Sequence, residues 1–164
     1  MPISEREQFI QAWEREFKTT MKVLNSYPAN KTELQPHSKL PNAKDLAWRI
    51  VTEEKTFVDG AMTGTFNFEG MPKSPGTLQE VISTYERNHS IHADKLKNMT
   101  DMQFNKTIKF MVAPKTMGDM RSGDTLWNLL MDTIHHRGQF SVYLRMADGK
   151  VPSIYGPSAD EPWM

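Results

Sequence analysis

The sequence predicts an all-α protein, a four-helix bundle, and three observations carry that expectation. Four stretches of roughly 20 residues place apolar side chains at steps of three and four. Helix-start signals stand in front of these stretches, and segments rich in Pro and Gly separate them. Helices of that length with short to moderate loops fit a bundle around one core, and one domain is expected to span residues 1–164.

The first helix is expected over residues 4–25, with Phe9, Ile10, Trp13, Phe17, Met21 and Leu24 inward and a capping box of Ser4 and Glu7. A polar stretch with Pro28, Pro36 and Pro41 follows, and Asn42 caps a second helix with the stripe Leu46, Ile50, Phe57 and Ala61. Gly64 stops it, and FEGMPKSPG is a connection. Thr77 and Glu80 open a third helix that buries Leu78, Ile82, Tyr85, His89, His92 and Leu96 and ends near residue 98. Residues 105–113, NKTIKFMVA, are β-prone but end at Pro114 and have no obvious partner run, so they predict an extended connection or short strand rather than a sheet. The fourth helix opens at Gly123 or Asp124 and runs to about Ala147, with Leu126, Leu129, Leu130, Thr133, Phe140, Tyr143 and Leu144 inward. Asp148 and Gly149 end it. The irregular tail KVPSIYGPSADEPWM carries three prolines and should lie over the bundle or cover one end, where it could cap a site.

Composition removes several classes of function. With no Cys, disulfides, thiolate zinc sites, iron–sulfur clusters and a cysteine nucleophile are excluded, so any metal must sit on His, Asp or Glu. The 20 basic and 20 acidic residues cancel, which gives no field for phosphate backbones, and no nucleic-acid partner is expected. No run of about 18 apolar residues is present, so no membrane span is expected. The N-terminus lacks the apolar core of a secretory signal, and a cytoplasmic location is the expectation. Neither a phosphate-binding Gly loop nor a Gly-x-Ser-x-Gly elbow occurs. The 12 Met are expected as gap-fillers in the core.

The densest polar cluster is MDTIHHRGQF, residues 131–140. Asp132 and His136 stand one turn apart on one helix face, Gln139 lies three residues further along it, and His135 points about 100° away. A carboxylate and an imidazole at i and i+4 can ligate one metal; equally, Asp132 can simply accept a hydrogen bond from His136 and fix its tautomer. Gly138 costs about 1 kcal/mol inside a helix and hints at a close helix approach. His89 and His92, three apart, could add nitrogen ligands, although an interfacial His that only hydrogen-bonds is commoner. His37 lies in an exposed loop.

HHRGQ in a late helix, then VYLR and GKVPSIYGPS, together with a Leu-Ala-Trp segment in the second helix, resemble the DinB family of four-helix bundles, the DinB/YfiT-like metalloenzymes. The resemblance covers most of the chain. It implies a divalent-metal site of three His, with zinc or nickel, one ligand from the second helix and two four residues apart in the fourth. It also implies a homodimer, and activities among relatives that include thiol-dependent transferases and isomerases. Carried over, only His136 matches: Asp132 stands where a His is usual, and Arg49, in LAWRIVTEE, stands where the second-helix His is expected. A guanidinium has no lone pair to offer, so Arg49 is no ligand.

Two accounts of this departure follow. In one, Arg49 reaches Asp132 across the bundle and an ion pair replaces the metal. In the other, Glu53, one turn beyond Arg49, replaces the missing His, and Glu53, Asp132 and His136 form the metal site with Arg49 as a neighbour or an anion clamp. Repulsion between a guanidinium and a metal ion tilts the balance slightly toward the first. The function expected is a metal-dependent hydrolase or thiol transferase acting on an unidentified small molecule. The alternative is a non-catalytic binding or stress-related protein in which Arg49 and Asp132 are paired. Arg49, Gln139 and His89 are expected to line the site.

Overall fold

The computed structural model describes residues 2–164. Its long helices are α1 (Glu5–Asn25), α2 (Ala43–Thr63) and α3 (Leu78–Asn98); a short α4 (Asp101–Phe104) leads into strands β1 (Thr107–Ala113) and β2 (Thr116–Arg121), and α5 (Ser122–Met146) closes the bundle. Both expected capping boxes form: Ser4 and Glu7 start α1, and Thr77 and Glu80 start α3. The Asn42 side chain accepts from the Asp45 backbone to start α2, and Gly64 ends it at φ 83°, a left-handed conformation that costs any residue with a Cβ about 1–2 kcal/mol.

Helix α2 packs between α3 and α5, and α1 packs against the same two from the opposite corner. The diagonal placement of α1 and α2 explains the long connection between them. Ile50, Val51, Tyr85, Phe140 and Leu144 are buried in one half of the core; Phe9, Val58, Leu96, Leu126 and Leu129 fill the other. Phe9, Trp13, Met21 and Leu24 of α1 are buried as expected, joined by Glu16 and Thr20, while Ile10 and Phe17 are half-buried and pack at the edge of the core.

The segment expected as a lone extended connection is one half of an antiparallel hairpin. Its partner, TMGDMR, carries Met, Gly and Asp in place of β-branched residues, and pairing rather than propensity holds it. Pro114 takes the first corner of the turn, and Lys115 the second at φ 60°. Ile108 and Phe110 turn inward, and Phe110 joins Phe57, Phe66 and Phe68 in an aromatic cluster; on the outer face Lys109 pairs with Asp119 at 2.7 Å. Helix α5 begins at Ser122, directly after Arg121, whose guanidinium holds Glu5 of α1 and Asp124. The Ser122 hydroxyl donates to the Ala61 carbonyl at 2.9 Å, which ties the start of α5 to the end of α2.

The tail is irregular, as expected, and lies along α1 and α5: Glu161 accepts from Lys22, and Asp160 pairs with Arg145. Gly138 makes no close approach, because a Cβ added there meets nothing within 4 Å. Its presence in mid-helix is a plain propensity cost, so Gly138→Ala is expected to raise the unfolding free energy by about 0.5–1 kcal/mol, read by urea denaturation. A loss of stability would show that the site is crowded after all.

Candidate functional site

Helix α2 turns Glu53 toward α5, which presents Asp132 and His136 one turn apart. One ligand atom from each of the three lies within 4.8 Å of the others. The Nε2 of His136 is 3.4 Å from Glu53 Oε2 and 3.5 Å from Asp132 Oδ1. His136 is buried, while Glu53 and Asp132 are half-buried. Glu53 Oε2 is sealed from solvent and, while His136 Nε2 carries no proton, has no hydrogen-bond partner, the only such side-chain atom among the described residues. A buried carboxylate oxygen without a donor costs about 1–3 kcal/mol or more, so some positive charge is called for.

The other side of the imidazole is held by its own helix. Gln139 Oε1 sits 3.1 Å from His136 Nδ1 and can only accept, so Nδ1 carries the hydrogen. The Gln139 amide group donates in turn to His135 Nε2 at 3.0 Å. This chain fixes the ring and leaves Nε2 facing the two carboxylates, the outer-shell arrangement that orients a ligating His. The Glu53 carboxylate raises the His136 pKa above its ordinary value; burial opposes this, and Gln139 and the Asp132 charge add to it. The pocket of charge around Nε2 therefore attracts a cation, whether a proton or a metal ion.

The expected ion pair between Arg49 and Asp132 is not formed. Arg49 is exposed and has no carboxylate within 4.0 Å among the described residues, and the Asp132 carboxylate turns to His136 instead. One turn before Glu53, Arg49 faces a cavity that it shares with His136, Gln139 and Tyr143. Burial raises the Tyr143 phenol above its usual pKa, and the nearby Arg49 charge pulls it back. None of the tail residues lines this cavity, so the tail does not cap it.

His89 and His92 do not join this group. Both turn to Glu54, the neighbour of Glu53 about 100° further round α2: His89 Nδ1 is 3.0 Å from Oε2 and His92 Nδ1 2.9 Å from Oε1. The His89 ring stacks between Trp13 and Phe17 at centroid distances of 3.9 and 3.5 Å, and its Nε2 lies 3.5 Å from Glu14. Glu54 was not singled out in the sequence, although its place one turn from Ile50 and Val58 in the inward stripe of α2 was a signal. Arg137, beside His136, is also structural: it is 2% exposed and pairs with Glu16 at 2.7 Å.

The fold and the site together define a helical bundle with an imidazole–carboxylate cluster between its second and last long helices. The DinB family model matches residues 1–163, and the chain belongs to that family. It is similar to the uncharacterized protein YrdA of Bacillus subtilis, 28% identical over 157 residues that cover 94% of this chain and 90% of that one. Two solved structures share the fold. A DinB-like protein from Bacillus cereus matches with TM-score 0.77 and 23% identity over 91% of this chain and 97% of that one. The DinB-like protein YjoA of Bacillus subtilis matches with TM-score 0.72 and 18% identity over 88% and 96%. No helix among the described residues is long and apolar enough to cross a membrane.

Proposed function

We propose that Glu53, Asp132 and His136 hold one divalent metal ion, and that the protein is a metal-dependent enzyme, a hydrolase or a thiol transferase, acting on a small molecule. The convergence of one ligand atom each from Glu53, Asp132 and His136 within 4.8 Å, with Glu53 Oε2 buried and facing an unprotonated Nε2, is the observation that carries this reading. Two carboxylates and one imidazole suit several divalent ions; zinc or nickel, and a homodimer, come from the family resemblance alone. An ion in this position supplies Lewis-acid activation of a water or of a substrate oxygen. The chain's own residues do the rest. Gln139 holds the imidazole in register, and the cavity beside His136 admits the substrate. Since the chain has no Cys, the thiol of any transfer reaction comes from a second substrate.

The free Arg49 disfavours the non-catalytic alternative, whose defining contact was the pair with Asp132. Elemental analysis of the untagged protein after gel filtration tests the proposal. The expected content is about one zinc or nickel per chain, falling close to zero in His136→Ala. Wild-type protein that holds no metal after incubation with either ion and desalting would overturn it.

A further inference from the structure

Beside the Glu53–Asp132–His136 group lies a cavity of about 460 Å³ between the 36–41 loop, α2 and α5. That is within the range of roughly 300–1,000 Å³ usual for small-molecule sites. Its charged lining has one sign. Lys39 and Arg49 stand in it, and no Asp or Glu lines it among the described residues. The imbalance is local, because the chain as a whole has 20 residues of each sign. It is also unspent: Arg6, Arg15, Arg121, Arg137 and Arg145 are each paired with a carboxylate, whereas Arg49, like Arg87 elsewhere on the surface, is not. The buried Tyr143 forms an apolar wall beside these charges, and the exposed Leu40 and Val142 form the rim.

We infer that this cavity binds a small molecule with an apolar body and a terminal oxyanion, carboxylate or phosphate, whose charge is held by Arg49 with Lys39. A guanidinium presents paired donors that match either oxyanion, and a free one beside a cavity gains charge-assisted hydrogen bonds at little cost in broken contacts. With the anion at Arg49, the other end of the molecule is directed toward His136, which lines the same cavity. The inference rests on the proposed metal centre only for which end of the ligand reacts. The anion site itself needs no metal.

The test is therefore run on EDTA-treated protein at low salt, titrating hexanoate, hexyl phosphate and the neutral hexanamide by calorimetry and by amide-resonance shifts. At least one anion is expected to bind about tenfold or more tightly than hexanamide, the scale of one charge-assisted contact, with shifts at His135, Gln139 and Val142. Which anion binds more tightly identifies the head group. Arg49→Gln should erase the advantage and Lys39→Gln should reduce it. Both side chains are exposed, so the folded state should survive either change, as circular dichroism will show. Equal binding of anion and amide, no binding of either anion, or an advantage that survives both substitutions would overturn the inference. Glu53→Gln, measured alongside, should lose metal and keep the anion, so that failure of the metal centre and failure of the anion site are read separately.

Discussion

Arg137→Ala is expected to remove about 3–5 kcal/mol of stability, the cost of leaving a buried charge without its partner, and to lower Tm by on the order of 10 °C. The guanidinium reaches from α5 to Glu16 Oε2 at 2.7 Å, to the Glu16 carbonyl at 3.3 Å and to the Thr20 hydroxyl at 3.4 Å. It also donates to the Tyr155 hydroxyl, which donates onward to Glu16 Oε2 at 2.6 Å. Burial alone would push the Glu16 carboxyl up, but the hydrogen bonds from Tyr155 and Arg137 and the Arg137 charge outweigh it, and the carboxyl sits below its ordinary range. A group held low in the fold contributes stability that is full above its unfolded pKa and is lost as pH falls through the folded one. Wild-type protein should therefore lose this contribution in acid, and Arg137→Ala should show less acid sensitivity from Glu16. Urea unfolding at neutral and acidic pH measures both. The double variant Arg137→Met with Glu16→Leu should recover much of the loss, since apolar residues can replace a buried pair at little cost. A single-variant loss under about 1 kcal/mol would place the pair among ordinary surface contacts.

Zinc or nickel added in large excess is expected to raise the Tm of EDTA-stripped protein by about 10 °C, and to leave Glu53→Gln where it was. Binding to the folded state alone stabilises by about 4 kcal/mol at a thousandfold excess over Kd, and a chain of this size gains roughly 2–4 °C per kcal/mol. The pH dependence separates this from nonspecific binding. In metal-free protein the raised His136 pKa means that protonation stabilises the fold fully below the ordinary His value, and that this is lost as pH rises through the folded value. A metal must displace that proton, so the Tm gain should grow as pH rises through the same window. Scanning calorimetry across that window shows both slopes. A wild-type Tm indifferent to either ion would sink the metal centre.

The helices were visible in the sequence because their signals are local. Ser4, Asn42, Gly64, Thr77 and Asp148 mark ends, and each acts on its own few residues. Most of the candidate site was visible too, since Asp132 and His136 share a face by period alone and Glu53 follows from its place in α2. Pairings across the bundle were not. The hairpin depends on β2, whose composition says little until β1 lies beside it. Arg137 could have been found, because it falls on the inward stripe between Thr133 and Phe140, and Glu16 lies inward on α1. What one helix cannot show is that its buried charge is met by another, and so spacing suggested a pair of Arg49 with Asp132 that does not form and gave no sign of the Arg137 pair with Glu16 that does. Geometry decides between them: Arg137 points into the core, and Arg49 points into a cavity.

The contact of Tyr155 with Arg137 and Glu16 has a consequence for how the folded chain opens. Its members are separated by 18, 121 and 139 positions, so the irregular tail bears on a charge pair that two helices from opposite ends of the chain enclose. If the tail lifts, the helices can stay packed while the enclosed pair loses the hydrogen bond from the phenol. Tyr155→Phe should leave the protein helical yet less firmly closed at this end, and a protease should cut its tail faster than in the wild type.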